Sequence, residues 1–155
     1  MEETVPARKR KGAISHIVLR PAFAICLFLS QFTSNRDSFF TANRYVLGGG
    51  VALVGAAIWL WTAASIRLRE AQQADRVATD GPFRAVRHPI YASIYLLSIG
   101  MGLMFFAWAW FLVLVIFFPS WYWECRREEE EMEARYGEAY AAYRERTKMF
   151  IPGLV

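Results

Sequence analysis

Apolar residues along this chain gather into long uncharged runs, and the charged residues fall in short stretches between them. Residues 45–66 contain no charge, and neither do residues 89–123. A membrane-crossing helix needs about 20 mostly apolar residues, so the first of these runs reads as one span. The second is too long for one: as a single helix it would measure about 50 Å, against a hydrocarbon core of about 30 Å. Two helices turning near Phe106 to Trp110 fit better. A further span is expected over residues 13–32, although Arg20 and Pro21 interrupt it; Arg20 can snorkel to the interface. Those two residues, and the lack of a small-x-small cleavage site after Leu29, argue against a signal peptide behind the basic cluster Arg8-Lys9-Arg10-Lys11. The expected fold is an all-α integral membrane bundle of about four spans, at residues 13–32, 45–66, 89–106 and 108–123, in a single domain over residues 1–155.

Beyond the last span the pattern changes. Residues 124–146 read as a cytoplasmic amphipathic helix, with Met132, Tyr136, Tyr140 and Tyr143 on one face. Gly137 weakens its middle, and Pro152 stops any continuation. In the second span Gly48, Ala52 and Ala56 recur every four residues, a spacing that lets two helices approach closely. The run Gly48-Gly49-Gly50 lacks the Lys-Ser or Lys-Thr of a phosphate loop and reads as helix packing.

Composition and charge sharpen this picture. The 155 residues are 55% hydrophobic, 16% aromatic and 21% charged, with a net charge of +4. The basic residues flank apolar runs instead of forming one stripe, which argues against a nucleic-acid partner. With four spans and both termini cytoplasmic, the inside segments hold Arg8, Lys9, Arg10, Lys11 and Arg20, then Arg67, Arg69, Arg76, Arg84 and Arg87. The tail adds Arg126, Arg127, Arg135, Arg144, Arg146 and Lys148, leaving only Arg36 and Arg44 outside. That asymmetry satisfies the positive-inside rule, whereas three spans would place the basic tail outside. Trp108 and Trp110 then belong to an outer aromatic belt, and Trp121, Tyr122 and Trp123 to an inner one. Cys26 and Cys125 match no disulfide framework or metal spacing, and no metal is expected.

Two polar constellations carry the candidate chemistry. The first ends the loop from Leu68 to Tyr91 in the sequence GPFRAVRHPIY. Gly81-Pro82 makes a turn, Pro89 suits a first helical turn, and Arg87 and His88 fall at the membrane–water boundary. Taken alone, the segment also reads as a topology anchor followed by a helix start. The second is Glu128-Glu129-Glu130-Glu131, directly after the last span. These glutamates also read as a solvated helix face partnered by Arg126, Arg127 and Arg135, but four carboxylates beside anionic headgroups are unusual. In a four-span bundle both constellations emerge on the same side and can face each other across one cavity. Such a cavity suits a zwitterionic, ribose-bearing ligand: cationic groups hold a carboxylate, and carboxylates hold hydroxyls or an ammonium.

These residues resemble the isoprenylcysteine carboxyl methyltransferase and phospholipid methyltransferase group of integral-membrane enzymes. The resemblance covers roughly the second half of the chain, residues 77–152. Its first motif reads here Gly81-Pro82-Phe83-Arg84, then Arg87-His88-Pro89-Ile90-Tyr91-Ala92-Ser93. Its second reads Glu128, Glu129, Met132, Tyr136-Gly137, Tyr140, Tyr143 and Pro152. Phe83, Ser93 and Met132 stand where the family pattern has Tyr, Gly and Leu. The resemblance implies a methyltransferase whose cofactor is S-adenosylmethionine. It implies that Val77, Ala78, Phe83, His88, Pro89, Ile90 and Tyr91 contact the cofactor and that Glu128, with Glu129, closes the site from the tail. Arg87 and His88 are the implied catalytic candidates, Arg87 as an electrostatic neighbour. Eukaryotic prenylcysteine enzymes carry a substrate-linked arginine where this chain has Glu124, with Arg126 and Arg127 nearby; Arg127 is the candidate for substrate binding.

Methyl transfer from a sulfonium is an in-line displacement, so positioning supplies much of the rate. A carboxylate acceptor needs no general base; an amine or thiol does, and His88 is the nearby conventional base. The expected acceptor is lipid-like or a small apolar molecule, reached laterally from the bilayer. Two rival readings are an NADPH-dependent membrane reductase of the sterol-reductase type and a non-catalytic membrane scaffold. The reductase would need a basic pocket for a 2′-phosphate, and the sequence offers no additional one.

Overall fold

The computed structural model describes residues 21–29, 44–105 and 108–151, and these are almost wholly helical. A first helix, α1, is described over residues 21–29; the rest of the expected first span lies outside the described residues. There follow α2 (Arg44–Gln73), a 3-10 turn at Gly81–Arg84, α3 (Pro89–Met104), α4 (Trp108–Tyr136) and α5 (Glu138–Arg146). Among the described residues the one extended pairing is an isolated parallel bridge between Val86 and Lys148. The fold is all-α, as the run lengths predict. Among the described residues α2 alone combines the length and the apolar character of a membrane-crossing helix, with a mean hydropathy of 1.8.

Helix lengths explain the shape. The 30 residues of α2 and the 29 of α4 make rods of about 45 and 43 Å. Each exceeds a hydrocarbon core of about 30 Å by several turns. The 16 residues of α3 make only about 24 Å. Two long helices therefore extend past the start of the short one on the same side, where Arg135 on α4 meets Asp75 just beyond α2. The space between these extensions, above the first turn of α3, is filled from the sides by the 3-10 turn and α5.

The tail differs from expectation. No separate helix spans 124–146: α4 runs unbroken from the apolar segment through Glu124 to Tyr136, and the break falls at Gly137. The change from apolar to charged sequence at 123/124 is a change of surroundings, not of conformation, because Glu, Arg, Met and Ala are all strong helix formers. Gly137 has φ +54° and ψ −128°, outside the reach of ordinary L-residues, and reverses the chain into α5. The expected apolar face survives that break. Tyr140 and Tyr143 are buried, and Met132 and Tyr136 pack beside them with Phe83, Ile90 and Leu68.

The packing seam also differs. The small residues buried along α2 are Gly50, Ala57, Ala64 and Ala71, spaced by seven, or two helical turns. Gly48, Ala52 and Ala56 are exposed, and a Cβ on Gly48 would meet nothing within 4 Å. Small residues are so dense in 48–57 that several stripes exist, and the one that packs is the one continued by Ala64 and Ala71. A Cβ on Gly50 would lie 2.8 Å from the Gly100 carbonyl oxygen, and one on Gly100 would lie 2.9 Å from that of Gly50. The two backbones thus touch, and among the described residues α2–α3 is the most extensive interface.

Two tryptophans expected in interfacial belts lie in the core instead. Trp110 is buried and stacks on Phe105, with ring centroids 6.2 Å apart. Trp121 is buried edge-on against Phe23 and Tyr91, at 5.3 and 5.2 Å. Both face neighbouring helices, which a belt argument based on chain position alone does not register. Trp123 is 67% exposed. Cys26 and Cys125 are both free thiols.

Candidate functional site

The segment between α2 and α3 is shaped by a few backbone choices. Asp75 takes the left-handed conformation (φ 45°) that ends α2, and the Arg76 amide reaches back to the Ala71 carbonyl at 3.0 Å. Gly81, at φ +60°, turns the chain beneath the side chain of Arg67, which a Cβ at that position would meet at 3.2 Å. The chain then extends through Val86 to His88, and Pro89 opens α3 as its first residue, where a missing N–H costs no hydrogen bond. This extended stretch is held by the tail. The Arg87 amide donates to the Lys148 carbonyl at 2.7 Å, and the His88 amide donates to that of Met149 at 3.1 Å.

Arg87 and Glu129 join these pieces. The Arg87 Nε donates to Glu129 Oε1 at 2.6 Å, and its Nη1 donates to the carbonyls of Arg144 (3.0 Å) and Thr147. Glu129 is 1% exposed. Its other oxygen lies 3.8 Å from both Arg126 and Arg144, and His88 Nε2 sits 3.3 Å from Oε1. Burial pushes the Glu129 carboxyl up, but the contacts with His88 and Arg87 outweigh it and hold the group below its ordinary value. One carboxylate therefore ties the start of α3, the body of α4 and the end of α5 together.

One residue earlier on α4, Glu128 faces a cavity of about 410 Å³. Tyr91 donates to Glu128 Oε1 at 2.5 Å, and His88 Nδ1 lies 3.7 Å from Oε2. The cavity has two kinds of wall. Val77, Ala78, Phe83, Ile90 and Met132 are apolar, while Glu128, Glu131, Arg135 and His88 are polar. Tyr140 and Tyr143 close the α5 side, and Leu68 and Gln72 the α2 side. Burial pushes both tyrosine hydroxyls up, Tyr143 to about 12, so they are neutral groups. Tyr143 donates to the Phe83 carbonyl at 2.8 Å and fixes the 3-10 turn against α5. At the rim, Asp75 Oδ1 accepts from Arg135 Nη2 at 2.7 Å and from the Tyr136 hydroxyl at 3.3 Å. Such a cavity can hold a flat apolar ring on one side and hydroxyls or a cation on the other.

Of the residues singled out from sequence, Val77, Ala78, Phe83, Arg87, His88, Pro89, Ile90, Tyr91 and Glu128 all line this one cavity. Glu129 does not: its carboxylate is turned to Arg87 behind the wall. Arg127 does not either; it approaches Glu124 at 3.9 Å on another face of α4. Sequence reasoning gave no cofactor-binding role to Leu68, Gln72, Glu131 and Arg135. The last two follow from Glu128 at spacings of three and seven, a signal that becomes readable once α4 is continuous. Leu68 and Gln72 lie on the part of α2 beyond its apolar run, where no motif marks them. Among the described residues no group of three or more His, Cys, Asp or Glu is placed to hold a metal ion.

The described residues thus form a helical assembly with one helix long and apolar enough to cross a membrane and a mixed polar and apolar cavity bounded by the charged parts of α2 and α4. The family model for phospholipid methyltransferases matches residues 43–139, from the start of α2 into α5. The chain belongs to that family, which makes it a membrane methyltransferase. No curated relative and no solved structure matches it.

Proposed function

We propose that this protein transfers a methyl group from S-adenosylmethionine to a lipophilic or small acceptor at the membrane. The observation that carries the reading is the gathering of Val77, Ala78, Phe83, the His88–Tyr91 segment and Glu128 around one cavity. Its volume of about 410 Å³ lies toward the small end of ligand sites, which run from about 300 to 1,000 Å³. That suits a nucleoside-sized ligand better than a dinucleotide, and so favours this reading over an NADPH reductase. Bound there, the cofactor supplies an electrophilic methyl on a sulfonium.

The chain's residues divide the work. Phe83, Val77, Ala78 and Ile90 offer an apolar wall to the adenine, and Glu128, steadied by Tyr91, offers a carboxylate to ribose hydroxyls or to a positive charge. Glu131 and Arg135 provide charges of both signs for a zwitterionic amino-acid moiety. For a carboxylate acceptor no proton is moved; for an amine or thiol acceptor, His88 takes the proton. Arg87 and Glu129 serve as positioning residues that hold His88 and α5, because their polar atoms are directed at one another and at backbone carbonyls. Arg127, turned away from this cavity, is proposed to act on the acceptor side.

The proposed architecture is one domain with four spans and both termini cytoplasmic, which puts the cavity on the cytoplasmic side. The acceptor, an isoprenylcysteine-like carboxylate or a phospholipid amine, then arrives laterally. Incubating membranes that contain the protein with methyl-labelled S-adenosylmethionine tests the reading. The expected outcome is label in an amphiphilic or small product that is absent from membranes carrying Glu128→Ala. Equal labelling in both membranes contradicts it.

A further inference from the structure

The wall of the cavity that carries Val77 and Ala78 is held differently from the others. The α3, α4 and α5 walls are parts of helices, and the stretch at Arg87 and His88 is tied to the tail by backbone hydrogen bonds. Residues 76–80 belong to no helix. They are bounded on each side by a residue with positive φ, Asp75 at 45° and Gly81 at 60°. Within the segment the Arg76 guanidinium meets the Asp80 carboxylate at 3.1 Å and the Val77 carbonyl at 3.5 Å. The segment is thus a short, internally braced flap between two special backbone positions.

A single carboxylate ties this flap to α4. Asp75 Oδ1 accepts from Arg135 Nη2 at 2.7 Å and from the Tyr136 hydroxyl at 3.3 Å. Among the described residues these are the only side-chain hydrogen bonds between residues 74–80 and α4. The tie falls on the hinge residue itself, so the backbone at Asp75 cannot swing without breaking both bonds. Arg135 and Asp75 are 65% and 74% exposed. An ion pair in such a position is weak and breaks readily, which suits a fastening that must open.

We propose that Asp75 is the latch of a cofactor door: fastened, it holds Val77 and Ala78 against the ligand, and released, it lets the flap swing away from α4. This role rests on the cofactor reading given above. Val77 and Ala78 are buried when the flap is closed, so S-adenosylmethionine enters and S-adenosylhomocysteine leaves past them, apart from the lateral route of the acceptor. Arg135 lines the cavity, but Asp75 does not. A residue that fastens the door without touching the ligand changes entry and exit rates together and leaves affinity alone.

Surface plasmon resonance of the immobilised full-length protein in detergent, with S-adenosylhomocysteine as the probe, tests this. Asp75→Asn keeps the shape and tolerates the left-handed backbone but removes the charge. It should raise the association and dissociation rates about fivefold each, the size of one exposed ion pair, with Kd unchanged. Raising salt from about 0.1 to about 1 M, which shortens the Debye length from about 10 to about 3 Å, should speed exchange in wild type far more than in Asp75→Asn. Tyr136→Phe, which removes the longer bond, should shift both rates in the same direction by less. Hydrogen–deuterium exchange of the ligand-free protein gives a readout independent of the cofactor: amides 76–80 should exchange faster in Asp75→Asn. Unchanged rates in Asp75→Asn, or a weakened Kd with an unchanged association rate, overturns the latch alone. Failure of wild type to bind S-adenosylhomocysteine overturns the cofactor reading and this role with it.

Discussion

Replacing Glu129 with leucine is predicted to be among the most destabilising single changes in the region outside the spans. The carboxylate is 1% exposed and its Oε1 accepts from Arg87 at 2.6 Å, while the Arg87 side chain is itself only 10% exposed. Removing one member of a buried pair leaves the other charge unpaired, at a cost of about 3–5 kcal/mol. The more exposed Arg126 and Arg144 add no more than about 1 kcal/mol each. For a chain of this length the change lowers Tm by about 6–20 °C. Arg87→Met should cost more, because the carbonyls of Arg144 and Thr147 lose their donor as well. The double variant replaces both charges by apolar groups and should cost less than the sum of the singles by at least about 2 kcal/mol. Thermal unfolding of the detergent-solubilised protein, followed by circular dichroism, supplies all four corners of this cycle. Additive single effects, agreeing within about 0.5 kcal/mol, would refute the claim that these residues act as one latch.

Four further outcomes follow from the geometry. Gly50→Ala should destabilise the protein by about 1–3 kcal/mol by pushing α3 off α2, since its Cβ would lie 2.7 Å from Met104 Cγ and 2.8 Å from a backbone oxygen. Gly48→Ala, with open space around it, should be neutral or stabilise α2 by up to about 1 kcal/mol; urea or thermal unfolding distinguishes the two. Gly137→Ala should cost about 1–3 kcal/mol because of its φ of +54°, and limited proteolysis should then release the segment beyond α4 more readily. Glu129 is held below its ordinary carboxyl value of 4.5, so its contribution to stability is present above that value and is lost as pH falls through the lower one. Unfolding curves from pH 7 down to pH 3 should therefore fall more steeply for wild type than for Glu129→Gln.

Much of the fold could be read from residue pattern because the strongest signals were local. The uncharged run at 45–66 lies inside α2, and Pro89 opens α3 as its missing N–H predicts. The cavity residues at 77–91 were legible through the family resemblance that this short segment carries, since residue pattern alone left it equally a topology anchor and helix start. Long-range choices were not legible. Nothing local tells Glu128 from Glu129, yet a 100° step around α4 sends one into the cavity and the other 42 positions back to Arg87. Likewise, Gly48 and Gly50 are equally small, and only the path of α3 decides which of them packs. The continuity of α4 through residue 124 is hidden by the change from apolar to charged sequence, although the helix propensities on both sides agree.

The central claim is that the cavity between the start of α3 and Glu128 binds S-adenosylmethionine. Calorimetric titration of the purified protein with that cofactor, and separately with NADPH, tests it most directly. S-adenosylmethionine should bind one per chain and NADPH should not. Glu128→Ala should weaken binding by about 10- to 150-fold, the range for losing a charged contact, with helix content unchanged. Equal S-adenosylmethionine affinity in wild type and Glu128→Ala would contradict the account, as would binding of NADPH in its place.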